Sequence, residues 1–310
     1  MKKRFLSLLL SGLLCLTAGC GSSAPTLEED KLNILATTYP IYLLTCAVTE
    51  GVDSLEVSLL VNEQVSCLHD YTLTVHDMKS IEKADVIVTN GVGLEDFMSD
   101  ALAQTNAMII DCSEGIELLP STGHHDHDHG HDHGHETEGE HFDPHYWMDP
   151  VRAVSMISNI STQLSQMFPE QKTAFYTAYE TTVERLELAR QGWQDQFQNL
   201  EHQHIITFHD GFQYFAHACG IEILKAIEEE EGAEASAAEI KEIVSLIKEH
   251  NVSVIFVEKN GSDSTAQAIA RETGVSVYAL DMIMSGDGSS IQSYIDAMTT
   301  NLQTVAEALK

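Results

Sequence analysis

The sequence predicts an α/β protein made of two parallel-sheet lobes joined by one long helix. Three observations predict it. Short apolar strands alternate with helical segments over residues 31–168, the order that gives a parallel sheet covered by helices. A segment of about thirty residues then runs from Pro169 to Leu200 with no further proline and a single glycine, Gly192. After it, from residue 202 to residue 310, the strand–helix alternation starts again.

In the first lobe, "KLNILATTYP" reads as a strand ending at a turn, and "IYLLTCAVTEG" has helical spacing that stops at Gly51. "SLEVSLLV" is a second strand. "TVHDMKSIEKA" is a helix with Thr74 as N-cap and Asp77 at the third position, a capping-box-like start. "DVIVTNG" and "AMIIDCSEG" are strands on either side of a helical "LEDFMSDALAQ". "MDPVRAVSMISNISTQLSQMF" opens a further helix, with Asp149 as N-cap and Pro150 in its first turn.

The linking helix, residues 169–201, carries Phe175, Tyr179, Val183, Leu186, Trp193 and Phe197 at spacings of three, four or seven, one apolar stripe. About thirty residues at 1.5 Å each reach roughly 45 Å, longer than one small domain. A coiled-coil arm is one reading. A buried stripe with no partner heptad elsewhere favours a strut between lobes. In the second lobe the strands are "HIITFHD", "IEILKAI", "VSVIFVE" and "VSVYALD". Its helices are "GFQYFAHACG", "AAEIKEIVSLIKEH" opened by a Ser236/Glu239 capping box, "STAQAIARETG" and a closing "SSIQSYIDAMTTNLQTVAEALK".

Residues 1–19 read as an export signal: a basic "MKKR", an apolar "FLSLLLSGLLCL" too short to span a bilayer, and "TAGC". This end resembles a bacterial lipoprotein signal with Cys20 as the lipidated residue, although Thr17 stands where leucine is usual. An ordinary secretory signal is the alternative. Residues 20–30 then form a tether. The net charge of −32 excludes nucleic acid as a partner and disfavours an anionic lipid surface, while suiting a protein that attracts cations. Cys46, Cys67, Cys112 and Cys219 have no spacing that favours one pairing, so free buried thiols are expected.

Nine of the sixteen histidines fall between residues 124 and 150. Their placement separates them. His69 follows a strand by a short loop, His145 precedes the N-cap Asp149, His209 ends "HIITFHD" and Asp281 ends "VSVYALD". Open α/β sheets bind ligands outside the carboxyl ends of their strands. Two of these four residues come from each lobe, so they can converge between the lobes. Three imidazoles and one carboxylate supply the four N/O ligands of a tetrahedral zinc site. Cys67, two residues before His69, is a further possible thiolate. His76 and His250 read as helix-surface residues, His202 and His204 as the polar flank of a strand, and His217 as a helix residue near the site.

"HDYTLTVHDMKSIEKADVIVTNGVGLEDFM", "DPHYWMDP", "ITFHDGFQYFAHACG" and "IFVEKNGSDSTAQAIARETGVSVYALD" resemble the metal-binding proteins of bacterial zinc and manganese ABC importers. The resemblance runs from about residue 31 to 310. It implies two Rossmann-like lobes bridged by one long helix, with the ion between them held by His69, His145, His209 and Asp281. It also implies a membrane permease and a cytoplasmic ATPase as partners. The approach "NEQVSCLHDY" departs from the family's frequent Pro-Gly…Pro-His pattern before the first ligand.

Of the crowded histidines, His145 alone is placed as a ligand of the central site. His124, His125, His127, His129, His131, His133, His135 and His141 lie in a loop, 121–141, that has no apolar residue to pack within its His-Asp-Gly run. They are expected to collect zinc weakly, or else to form an inert insertion. Zinc is the expected cargo, because imidazole suits zinc whereas Mn²⁺ favours oxygen-rich sites; manganese is the alternative. A zinc hydrolase would need an open coordination position and a general base, and no HExxH or GxSxG motif is present. A surface adhesin is the third reading.

Overall fold

The computed structural model describes residues 31–63, 68, 71–121, 141–200, 203–228 and 236–310. The signal at 1–19, Cys20, the tether, Cys67, His69, the histidines from His124 to His135, and His202 lie outside the described residues. In the first half, β1 (Leu32–Ala36), α1 (Tyr39–Thr49), β2 (Leu55–Leu59), α2 (Val75–Lys83), β3 (Val86–Thr89), α3 (Ser99–Gln104) and β4 (Met108–Asp111) lead to α4 (Pro150–Met167). The long helix is α5 (Lys172–Leu200). The second half contains β5 (His204–His209), α6 (Gln213–Cys219), β6 (Glu222–Glu228), α7 (Ala237–His250), β7 (Val254–Glu258), α8 (Ser264–Thr273), β8 (Ser276–Leu280) and α9 (Ile291–Ala308).

Each half holds a four-stranded parallel sheet, and the order is the same in both: β2-β1-β3-β4 and β6-β5-β7-β8. The fold is therefore α/β with two Rossmann-like sheets. In such an order the chain reverses direction across the sheet between β1 and β3, and again between β5 and β7. Those two gaps are where a crevice opens at the carboxyl ends of the strands.

Helix starts follow local chemistry. At α2, Thr74 accepts from the Asp77 N–H at 3.3 Å while the Asp77 carboxylate accepts from the Thr74 N–H at 2.7 Å. At α7, Ser236 and Glu239 do the same. Asp149 caps α4 through the Val151 N–H at 2.8 Å, with Pro150 in the first turn where its missing donor costs nothing. One expected helix is shorter than its sequence implied. "LEDFMSDALAQ" begins as turns, with Leu94 N–H bonded to Gly91 and Asp96 N–H to Gly93, followed by a 3₁₀ turn over Asp96–Met98. Regular helix starts only at Ser99, because the Glu95 side chain is turned back onto the Asn90–Gly91 backbone.

The linking helix is also entered through a 3₁₀ turn, Pro169–Gln171, before 29 residues of α-helix. Phe175, Leu186 and Trp193 are buried as the stripe requires, Tyr179 and Val183 are half-buried, and the Phe197 side chain lies outside those described. Thr182 is buried on the same face and reaches the Ala47 carbonyl of α1.

The apolar interior does not divide at α5. One cluster of buried residues takes in Ile34, Ile87 and Met156 of the first half, Phe175 and Trp193 of α5, and Phe212, Phe256, Leu280 and Leu302 of the second. α9 packs against both α1 and α5. The other face of the second sheet, with Ile206, Phe208, Ile255 and Val257, forms a separate cluster under α7 and α8. Residues 31–310 thus form one compact unit.

Candidate metal centre

The segment between the two sheets, residues 141–149, is fixed at every turn. At its start, Phe142 pairs with Pro120 in an antiparallel bridge, the Ser121 N–H bonds to the His141 carbonyl at 2.9 Å, and the Asp143 N–H bonds to Leu119 at 3.0 Å. The two ends of the histidine-rich loop are therefore clasped together, with exposed His141 at its rim. The Tyr214 hydroxyl of α6 reinforces the clasp, donating to the Asp143 carbonyl and accepting from the Leu119 N–H, both at 2.9 Å. Asn90 donates to the Pro144 carbonyl at 3.0 Å, and the Tyr146 hydroxyl donates back to the Asn90 carbonyl. Trp147 donates its indole N–H to the Met282 carbonyl at 2.9 Å, and its own carbonyl accepts from the Tyr294 hydroxyl at 2.8 Å.

His145 sits at the middle of this segment, 3% exposed. The Asp143 carboxylate accepts from its backbone N–H at 2.9 Å and pairs with its ring Nδ1 at 2.7 Å. A proton on Nδ1 shared with a carboxylate leaves Nε2 as the ring's electron-pair donor, the arrangement in which a carboxylate orients an imidazole toward a metal.

His209 ends β5, beside the gap between β5 and β7, and is equally buried. Its ring centroid stands 5.7 Å from that of His145, with the ring planes at 89°. Glu258 ends β7, across the same gap, and its Oε1 lies 3.8 Å from His209 Nε2. Gly211, two residues past the end of β5, packs under the Met282 side chain and the His209 ring. A side-chain carbon at Gly211 would come within 3.0 Å of the Met282 sulfur and 3.1 Å of His209 Cδ2, with the Met282 methyl closer still.

Asp281 follows β8. Asn301 of α9 clamps its backbone, accepting from the N–H at 2.8 Å and donating to the carbonyl at 2.7 Å. Its Oδ1 accepts from the Ile283 N–H at 2.8 Å, holding Ile283 at φ 62°, a conformation that a β-branched residue adopts only under constraint. Its Oδ2 accepts from Lys259 Nζ at 2.9 Å.

The structure thus brings His145 and His209 face to edge, while Asp281 precedes Met282, whose carbonyl accepts from the Trp147 indole. Among the described residues no group of three or more His, Cys, Asp or Glu side chains is placed to hold a metal ion. His69 and Cys67 lie outside the described residues. His76, His217 and His250 are exposed, and His204 lies beside His250, ring centroids 5.5 Å apart, at the opposite ends of the strands. Cys112 and Cys219 are buried free thiols and Cys46 is half-buried; burial pushes the Cys46 thiol up to about 11.

Three carboxylates were not singled out by sequence reasoning: Asp143, Glu258 and Glu95. Glu95 lies in the loop after β3, at the N-terminal edge of the 3₁₀ turn. It lies at the gap between β1 and β3, where it accepts from Thr37 Oγ1 and the Asn90 N–H at 2.7 Å and from the Gly91 N–H at 2.9 Å. Burial pushes its carboxyl up to about 7, outweighing the three donors, and the Asp111 charge adds to the rise. Gly91, at φ 82°, lies so close to the Asp111 carboxylate that a β-carbon would stand 2.8 Å from its Cγ. Strand-end position was the available signal for Glu258; nothing local marks Asp143 or Glu95.

With these features in place, the family profile described as zinc-uptake complex component A, periplasmic (ZnuA), matches residues 34–308. The chain belongs to this family. It is 28% identical to the zinc-binding lipoprotein AdcA of Streptococcus pneumoniae serotype 4 over 320 aligned positions, covering 99% of this chain and 61% of that protein. The chain thus spans about 61% of the length of that relative. It is 29% identical to the high-affinity zinc uptake system protein ZnuA of Bacillus subtilis, covering 95% of this chain and 94% of that one. Among solved structures, the solute-binding protein FpvC of Pseudomonas aeruginosa in complex with Mn²⁺ superposes with a TM-score of 0.76 at 25% identity, covering 90% of this chain and 98% of that one. The ZnuA family is one of solute-binding components of metal uptake.

Proposed function

We propose that this chain captures Zn²⁺ outside the cytoplasm and delivers it to the permease of an ABC importer, driven by a cytoplasmic ATPase. The buried His145–His209 pair carries this reading, since two imidazoles at 5.7 Å between the sheets are suited to share one ion. His69 and Asp281 complete the proposed shell, and Cys20 is the proposed lipid anchor to the membrane. Residues 31–168 and 202–310 are proposed as the two lobes and 169–201 as the link between them. The names of the zinc-binding relatives support the choice of cargo. Binding and release, with no turnover, are the proposed activity.

The test is competition of the purified chain against a zinc chelator of known affinity. One ion should bind tightly, and H145A and H209A should each abolish that site. Retention of tight binding in the double variant would overturn the ligand assignment. A second reading, manganese as cargo, is favoured by the Mn²⁺ complex of FpvC and by the Glu258 oxygen near His209. Preference for Mn²⁺ when both ions are buffered at equal free concentration would select it.

A further inference from the structure

We propose that Lys259 is a resident counterion of the cargo site, holding the oxygen of Asp281 that an incoming divalent cation needs. The proposal rests on Asp281 being a ligand, as argued above. The two oxygens of Asp281 are not equivalent. Oδ1 is committed to the Ile283 N–H and through it to the backbone turn after β8. Oδ2 is the oxygen left for a cation, and the Lys259 ammonium occupies it at 2.9 Å.

The placement is built into the sheet. β7 and β8 pair in parallel with Glu258 opposite Leu280, so the next residues on each strand, Lys259 and Asp281, emerge side by side. The Lys259 N–H bonds to the Leu280 carbonyl at 2.8 Å, fixing the backbone from which the side chain reaches. Exposure is asymmetric: the lysine side chain is 64% exposed and the aspartate 21%. A flexible, hydrated ammonium leaves a carboxylate at small cost and returns readily, because exposed ion pairs contribute little. Lys259 thus keeps Asp281 neutralised before the ion arrives and is ready to retake it when the ion departs. Both effects weaken binding slightly and speed release, which suits a carrier that must surrender its cargo.

The experiment uses the full mature chain with K259M, K259Q, K259R, D281N and K259M/D281N. Zn²⁺ affinity is read by chelator competition and the release rate by a chelator chase, with thermal melting to confirm folding. K259M and K259Q should tighten Zn²⁺ binding roughly two- to fivefold, the range an exposed ion pair supports, and slow release correspondingly. K259R should resemble the wild type. D281N should weaken binding and remove the effect of K259M. If D281N alone leaves affinity unchanged, Asp281 is not a ligand, and the proposal falls with that reading. If D281N weakens binding but K259M and K259Q do not tighten it, the counterion role is overturned and the ligand stands. If the K259M gain persists in D281N, the effect is general charge repulsion, which also overturns the proposal.

Discussion

Asp143 shows how much of the centre is decided by residues that would not touch the ion. It holds both the backbone and the ring of His145, so its loss frees the imidazole to turn. D143A should weaken Zn²⁺ binding about 10–100-fold, the usual cost of removing an orienting carboxylate, with D143N between it and the wild type; titration against a chelator checks this. Glu95 makes a pH prediction. Its folded value, about 7, lies above its ordinary 4.5, so its contribution to stability is full below pH 4.5 and is lost as pH rises through 7. The loss is about 3 kcal/mol at 1.4 kcal/mol per unit. Denaturant titrations from pH 4.5 to 8 should therefore show a shallower fall in stability for E95Q than for the wild type. His209 and Asp281 stood out in the sequence because polar residues closing an apolar strand are conspicuous, and His145 because it precedes the N-cap Asp149. Asp143 and Glu95 escaped because their partners, the His145 ring and the Asn90–Gly91 backbone, are defined only after the chain has turned.

At the scale of elements, the histidine-rich loop is separable from what surrounds it. Its ends meet at the Pro120–Phe142 bridge and are held by Tyr214, contacts that lie outside the segment a deletion would remove. Deleting residues 124–139 should remove weak Zn²⁺ equivalents and leave the tight equivalent unchanged; equilibrium dialysis before and after deletion checks both. Loss of the tight equivalent with the loop would place a ligand of the central site inside it. The loop bounds 121–141 rest on where the apolar pattern stops and resumes in the sequence. Helix starts were legible for a similar reason, since capping boxes are chemical signatures written in three or four residues. The shortened α3 was not, because its late start follows from Glu95 folding back onto Asn90 and Gly91 rather than from the helical propensity of "LEDFM".

For the molecule as a whole, the sequence indicated two lobes and a strut, and the same strand order recurs in both sheets. It did not indicate that one apolar core would pass through α5 from one sheet to the other, since spacing along the chain reports a buried face and not its partner. That shared core, with Trp147 bonded to Met282 and to Tyr294, opposes wide opening of one half from the other. Small-angle scattering should give radii of gyration for apo and zinc-loaded protein that differ by less than about 1 Å, near the roughly 19 Å expected for this size. A shift of several ångströms on loading would show hinge opening instead.

The packing of α9 on α1 and α5 also makes the fold's closing contacts distant in sequence. Among the described residues, α1 near the start of the fold packs against α9 near its end. Contacts so far apart in sequence carry a large loop-closure cost and slow folding. The core is thus sealed by a contact that no local segment can supply.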